Sequence, residues 1–440
     1  MRTKRTIKAA SLRHAWRDAF LHIVGIAGLL WAAVNRADEA PFPTPASKKG
    51  LQVQMVDDAL ALGVRHAALN VNFGQLLTFE TNNIHARYRG ADFWFSRGYV
   101  NHLDAQIKPL SDHGVVVALI LLNYAGSDAT LNRVLLHPRY DPGAPNHLSA
   151  FNTSTPEGAR ALGACVEFLA ERYSSNEHGR VWNYIVGNEV NSHWFWSNMG
   201  RVTMEEFADD YLRAVRLCQE SVRKHSANAR VYISLEHHWN IHYPGGDEKQ
   251  TFPGRPFVDY FARRARETGD FDWNIAFHPY PENLFDCRTW KDKSATDAPD
   301  TPRITFKNIE MLPKYLSRRE LLYQGKPRHV ILSEQGFHSP ETPEGQVLQA
   351  AAYCYAYEKV DHLNGIDSFI YHRQVDHGQE GGLNLGVWTR NKNSPNPAEP
   401  AERKKIYEVF KAADTPEREA SFRFALPVIG ISKWEEIRAR

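Results

Sequence analysis

The strongest constraint in this sequence is an alternation. Largely apolar runs at 66–73, 115–122, 181–187, 230–235, 273–277, 329–333 and 366–371 take turns with amphipathic stretches at 53–62, 99–111, 159–172, 204–224, 257–268, 308–323, 346–362 and 402–412. A strand covered on both faces reads as a continuous apolar run, and helices between such strands imply parallel pairing. At 440 residues the natural closure is a (β/α)8 TIM barrel with long βα loops. Seven strands leave one to find, and it must be the first. It would fall between about residues 40 and 50, where Pro41, Pro43 and Pro45 make a poor strand, so the first strand is expected to be degenerate or missing. A doubly wound open sheet is the rival, disfavoured because no Gly-rich phosphate loop follows the first strand.

The barrel is assigned to residues 41–415, with a C-terminal extension at 416–440 expected to pack on it. Residues 1–40 differ: Arg2, Lys4, Arg5, Lys8, Arg13 and Arg17 precede an apolar stretch at 20–34 broken only by His22. Basic then apolar is the order of a secretory signal, which points to a secreted or periplasmic protein. The stretch is short for a stable membrane span. No clean cleavage site follows, so an anchoring helix and a start codon set too far upstream stay open as alternatives. A net charge of +2 gives no ground for a nucleic-acid partner. The cysteines, Cys165, Cys218, Cys287 and Cys354, form no CxxC pair and read as buried free thiols, with one disulfide as the alternative.

Chemistry is concentrated where the strands stop. Glu189 ends one apolar run and Glu334 another, and carboxylates at strand C-termini face the mouth of a barrel. A pair of carboxyls is the minimal machinery for breaking a glycosidic bond. Retaining enzymes hold them about 5–5.5 Å apart and inverting ones roughly 6.5–9.5 Å.

Asn188-Glu189 closing the fourth strand, Phe277-His278-Pro279-Tyr280 the sixth and Leu332-Ser333-Glu334-Gln335-Gly336 the seventh resemble glycoside hydrolase clan A, a large group of retaining barrel enzymes. The resemblance implies that Glu189 is the acid/base and Glu334 the nucleophile. It further implies that Asn188 binds a sugar 2-hydroxyl, that Tyr280 donates a hydrogen bond to Glu334, and that no cofactor is needed. The chain departs from the clan at three strand ends. Asn70-Val71-Asn72 stands where an Arg is common, Asn123-Tyr124 where a His is common, and Tyr371-His372-Arg373 where a Trp is common.

Further substrate-binding candidates are His278, Glu236, Trp239, Trp194, His372 and Asn72. Glu236 has two open readings, a ligand for sugar hydroxyls or a partner for the neighbouring histidines. Arg87, Arg89, Lys291 and Arg373 would suit an acidic or sulfated glycan, though ordinary surface charge explains them equally. The histidines His237, His238, His278, His338, His372 and His377 invite a metal-dependent hydrolase, but no HExxH helix or His-x-His pair on the first clear strand supports a metal. The expectation is a retaining hydrolase of β-linked oligo- or polysaccharides. The alternative is a carbohydrate-binding barrel that has lost activity.

Overall fold

The computed structural model describes residues 38–438, so the basic and apolar N-terminal segment lies outside the described residues. Eight parallel strands close a barrel: β1 (Lys49–Gln52), β2 (His66–Asn72), β3 (Val116–Leu122), β4 (Gly179–Val186), β5 (Arg230–Glu236), β6 (Trp273–His278), β7 (Val330–Leu332) and β8 (Ser368–Tyr371). They neighbour in the order β3-β2-β1-β8-β7-β6-β5-β4, and pairing of β3 with β4 closes the ring. The protein is a (β/α)8 TIM barrel.

β1 corrects the expectation of a degenerate or missing first strand. It pairs in register with both β2 and β8, starting where the expected window ends. Its composition, Lys-Gly-Leu-Gln, hides it. A Cβ on Gly50 would lie 2.9 Å from both His66 Cβ and Ile370 Cγ1, so the narrow bore admits no side chain there. Leu51 joins the outer core, and Gln52 points with the Gly50 face toward the mouth. Lys49 is 1% exposed, its ammonium donating to the Lys411 carbonyl and paired with Asp414.

Two apolar layers follow from the pleat. Ala68, Ala118, Ile120, Ile185, Ala276, Ile331 and Ile370 fill the bore. A larger layer lies between strands and helices. The helix Met204–Arg223 shows how the pattern works: Phe207, Tyr211, Val215, Cys218 and Val222 recur every three or four residues and are buried. A capping box between Thr203 and Glu206 starts it.

Elsewhere the structure refines the expectations. The aromatic-rich segment after β2 is a small antiparallel sheet (Leu77–Thr78, Ile84–Tyr88, Ala91–Phe95), anchored by Phe95 stacked on Phe168 at 4.0 Å. The helix expected over 308–323 is only Met311–Leu316, flanked by single 3-10 turns. Chain order begins earlier than residue 41, since Asp38 exchanges backbone hydrogen bonds with His225 and Ala227. At the other end Arg418 pairs with Glu358 and Asp361, and Arg438 with Glu358, which holds the last segment on the helix Pro343–Asp361. The four cysteines are buried and free. Among the described residues no helix is long and apolar enough to cross a membrane.

Candidate active site

The mouth at the strand C-termini gathers the residues that the sequence singled out. β4 stops at Val186, and Gly187 turns the chain with φ +78°. Glu189 itself takes a left-handed conformation (φ 39°, ψ 50°), which favours glycine and is rare for a glutamate. Its N–H is held by Ser234 Oγ at 3.0 Å. The result is a carboxyl aimed at β6, where Oε1 lies 2.9 Å from His278 Nδ1. The other ring nitrogen, Nε2, lies 2.9 Å from Ser333 Oγ, so His278 bridges β4 to β7.

Glu334 directly follows Ser333. Its Oε1 accepts from the Tyr280 hydroxyl at 3.2 Å, and its Oε2 from the Gln52 amide at 3.2 Å. A carboxylate oxygen of Glu189, one of Glu334 and a ring nitrogen of His278 all lie within 4.8 Å of one another. Carboxylate oxygens this close are compatible with the shorter, retaining spacing.

The surroundings of the two glutamates differ. Burial pushes the Glu189 carboxyl above its ordinary value of 4.5; the charges of Glu334 and Glu236 add to this, and the His278 bond opposes it. Burial works against protonating His278, but the Glu189 hydrogen bond and the surrounding carboxylates outweigh it and raise the ring above 6.5. Burial, then the neighbouring anions led by Glu334, lifts Tyr280 well above 10.0, so its phenol stays a donor. One group is thus disposed to keep a proton, while the other is provided with two neutral donors suited to an anion.

A cavity of about 410 Å³ opens beside Glu334 and is lined among others by Gln52, Asn70, Tyr124, Asn188, Trp196 and His372. The Asn188 Oδ1 is buried with no hydrogen-bond partner, an acceptor left for a ligand. His372 Nδ1 donates to Gln52 Oε1 at 2.6 Å, which turns the Gln52 amide nitrogen toward Glu334. On its other side His372 Nε2 lies 3.1 Å from Glu380, which also pairs with Arg373. Sequence reasoning missed Gln52 and Glu380. For Gln52 the missing signal was β1 itself.

The sequence pattern described as "Family of unknown function (DUF5722)" matches residues 41–437. The chain belongs to this family. No curated protein matches it in sequence. Among solved structures, it is similar to a family 39 glycoside hydrolase from Bacteroides cellulosilyticus WH2, with TM-score 0.53, 15% identity and 85% of this chain covered. The chain spans 64% of that protein's length. A hyperthermophilic β-glucosidase from Pyrococcus furiosus is similar at TM-score 0.53 and 14% identity, over 85% of this chain and 86% of the other. These likenesses show the fold, a (β/α)8 barrel.

Four predicted binding residues of this family member lie elsewhere. Trp239 is 2% exposed and packs edge-on against Phe277 and Tyr315 outside the bore, so it is no sugar platform. Trp194 lies outside the cavity, and Trp196, two residues on, lines it. The Asn72 side chain caps the short helix Phe73–Leu76, accepting from Gly74 N–H at 3.0 Å; Asn70, two positions back on the pleat, lines the cavity instead. Glu236 accepts from Asn191 at 2.7 Å, from Ser192 at 3.0 Å and from the His238 backbone at 2.8 Å, with His238 Nδ1 at 2.5 Å. Burial opposes its charge, but the His238 charge and these bonds hold it down at about 2. Its oxygens are spent inside the protein, which decides between the two readings in favour of the histidine partner.

Proposed function

We propose that the protein is a retaining β-glycoside hydrolase. The observation that carries this reading is the carboxylate pair, with oxygens of Glu189 and Glu334 inside 4.8 Å, burial raising the first and two neutral donors held on the second. The glycoside hydrolases that share its barrel support the same class.

In the first step Glu334 attacks the anomeric carbon as the protonated Glu189 gives its proton to the leaving oxygen. The product is a glycosyl ester on Glu334. In the second step Glu189, now a carboxylate, takes a proton from water, and that oxygen displaces Glu334 with net retention. Tyr280 and Gln52 hold the nucleophile in line, and Asn188 Oδ1 accepts from a sugar hydroxyl. The basic and apolar start of the chain supports export as the place of action.

The test uses Glu334→Ala and Glu189→Ala. Turnover disappears in the first. In the second kcat/KM falls by about 10²–10⁴-fold for poor leaving groups and far less for dinitrophenol, which leaves without a proton, while kcat drops for both because the second step has lost its base. Normal hydrolysis by the Glu334 variant would refute the reading. Binding of glycans with no turnover in the wild type would leave a carbohydrate-binding barrel in its place.

A further inference from the structure

The cavity shows which sugars it is built to take, an inference that rests on the glycosidase reading. Among the described residues lining it, the charged side chains are Glu334, Glu380 and Arg373, with His372 and His377 beside them. Arg373 is the guanidinium that could hold a uronate or sulfate, and its Nη1 is paired with Glu380 Oε2. Glu380 Oε1 faces His372, so both oxygens of this carboxylate are used to neutralise the β8 wall. Burial opposes the Glu380 charge, but the bonds and charges of His372 and Arg373 hold it at about 2, so it is ionised at any working pH. Burial first, then the Arg373 charge, pushes His377 below 6.5, which keeps it a neutral ring near pH 7. The remaining polar lining is amide and phenol: Gln52, Asn70, Asn146, Asn188, Gln379 and Tyr124. Neutral groups of this kind match hydroxyls, and an anionic sugar would meet Glu334 and Glu380 with no cation to spare.

We propose that Glu380, by occupying Arg373, restricts the site to uncharged glycans and excludes uronic-acid ones. Removing the carboxylate at 380 frees the guanidinium and opens the site to uronates.

The test compares full-length wild type, Glu380→Gln and the double variant Glu380→Gln/Arg373→Gln. The probes are uncharged β-linked tetrasaccharides (cello-, xylo-, manno- and galactotetraose) and uronate-bearing ones (hyaluronan and chondroitin tetrasaccharides). Binding is read by calorimetry, cleavage by chromatography, and folding by thermal melting. The wild type is expected to take one or more of the uncharged set and none of the uronates. Glu380→Gln is expected to shift the affinity ratio toward uronates by about tenfold or more, the worth of one freed charge-assisted bond, and the double variant to lose that gain. Using the ratio cancels any loss common to both sets from a loosened His372–Gln52 contact. Uronate cleavage by the wild type overturns the inference and leaves the glycosidase reading standing. An unchanged ratio in a folded Glu380→Gln overturns the role of Glu380. Wild type that neither binds nor cleaves either set removes the glycosidase reading, and the inference falls with it.

Discussion

A single methyl group at position 336 tests whether the geometry of the mouth matters. Gly336 stands two residues after Glu334, and a Cβ there would lie 2.2 Å from the His372 carbonyl oxygen and 3.1 Å from Leu385 Cβ. The first obstacle is backbone and cannot swing aside. It is also pinned, because His372 N–H donates to Gln335 O at 2.8 Å. Ordinary contact starts at 3.4 Å, so Gly336→Ala must part the ends of β7 and β8 by about 1 Å. Overpacking of this kind costs about 1–3 kcal/mol, which a chain this size survives. The same shift moves Glu334 relative to Gln52 and His372, which hold it from the other side. Misplacing a reacting group by about 1 Å costs roughly 10²-fold in rate. The assay is thermal melting together with kcat/KM on a cleaved glycan, and a structure of the variant to locate Glu334. A Gly336→Ala protein that melts like wild type and keeps full kcat/KM would refute the reasoning.

Three further outcomes are expected. His278→Leu removes the bond that lowers Glu189, so the alkaline limb of the kcat/KM profile, set by loss of the Glu189 proton, should move to higher pH; movement to lower pH would contradict the assigned role. Glu236 titrates at about 2 instead of 4.5, a depressed carboxyl whose stabilisation is present above pH 4.5 and lost as the pH falls toward 2. Glu236→Gln should therefore cost about 3 kcal/mol at pH 7, with the gap to wild type in urea titrations closing below about pH 3; a gap that ignores pH would argue against an ionic role. Trp239→Ala should cost about 3–5 kcal/mol in stability as a core truncation, whereas Trp196→Ala should weaken glycan binding with little change in melting; the reverse pattern would undo the assignment of the two tryptophans.

Much of the fold was readable because β3 to β8 are buried almost throughout on both faces, so their sequences are largely apolar runs, and β2 is apolar from Ala67 to Leu69. β1 was not readable, and the reason is local. Gly50 is dictated by a bore too narrow for a side chain, and Lys49 is buried only because Lys411 and Asp414, far along the chain, receive its ammonium. Neither requirement leaves a mark on the neighbouring sequence. The carboxylate pair, His278 and Tyr280 could be found because they terminate recognisable strands. Gln52 was lost with its strand, and Glu380 sits in an irregular loop whose meaning comes only from its direct bonds to Arg373 and His372. Trp239 and Glu236 misled because a residue just past a strand end can turn outward into the helix layer or bond to its own loop, and sequence distance from the strand does not distinguish these from a turn into the mouth.

The placement of β1 also bears on how the chain is made. Gln52 and His372 touch across 320 positions, and β1 bonds on one side to the last strand of the barrel. During synthesis β1 can pair with β2 early, but its other edge stays open until nearly all of the protein has emerged. Glu334 is seated by Gln52 and Tyr280 from opposite sides of this seam. A ribosome-bound fragment ending before about residue 366 would therefore hold Glu189, His278 and Glu334 and still lack a closed wall behind them. Competence would arrive late and all at once, when the two ends of the barrel meet.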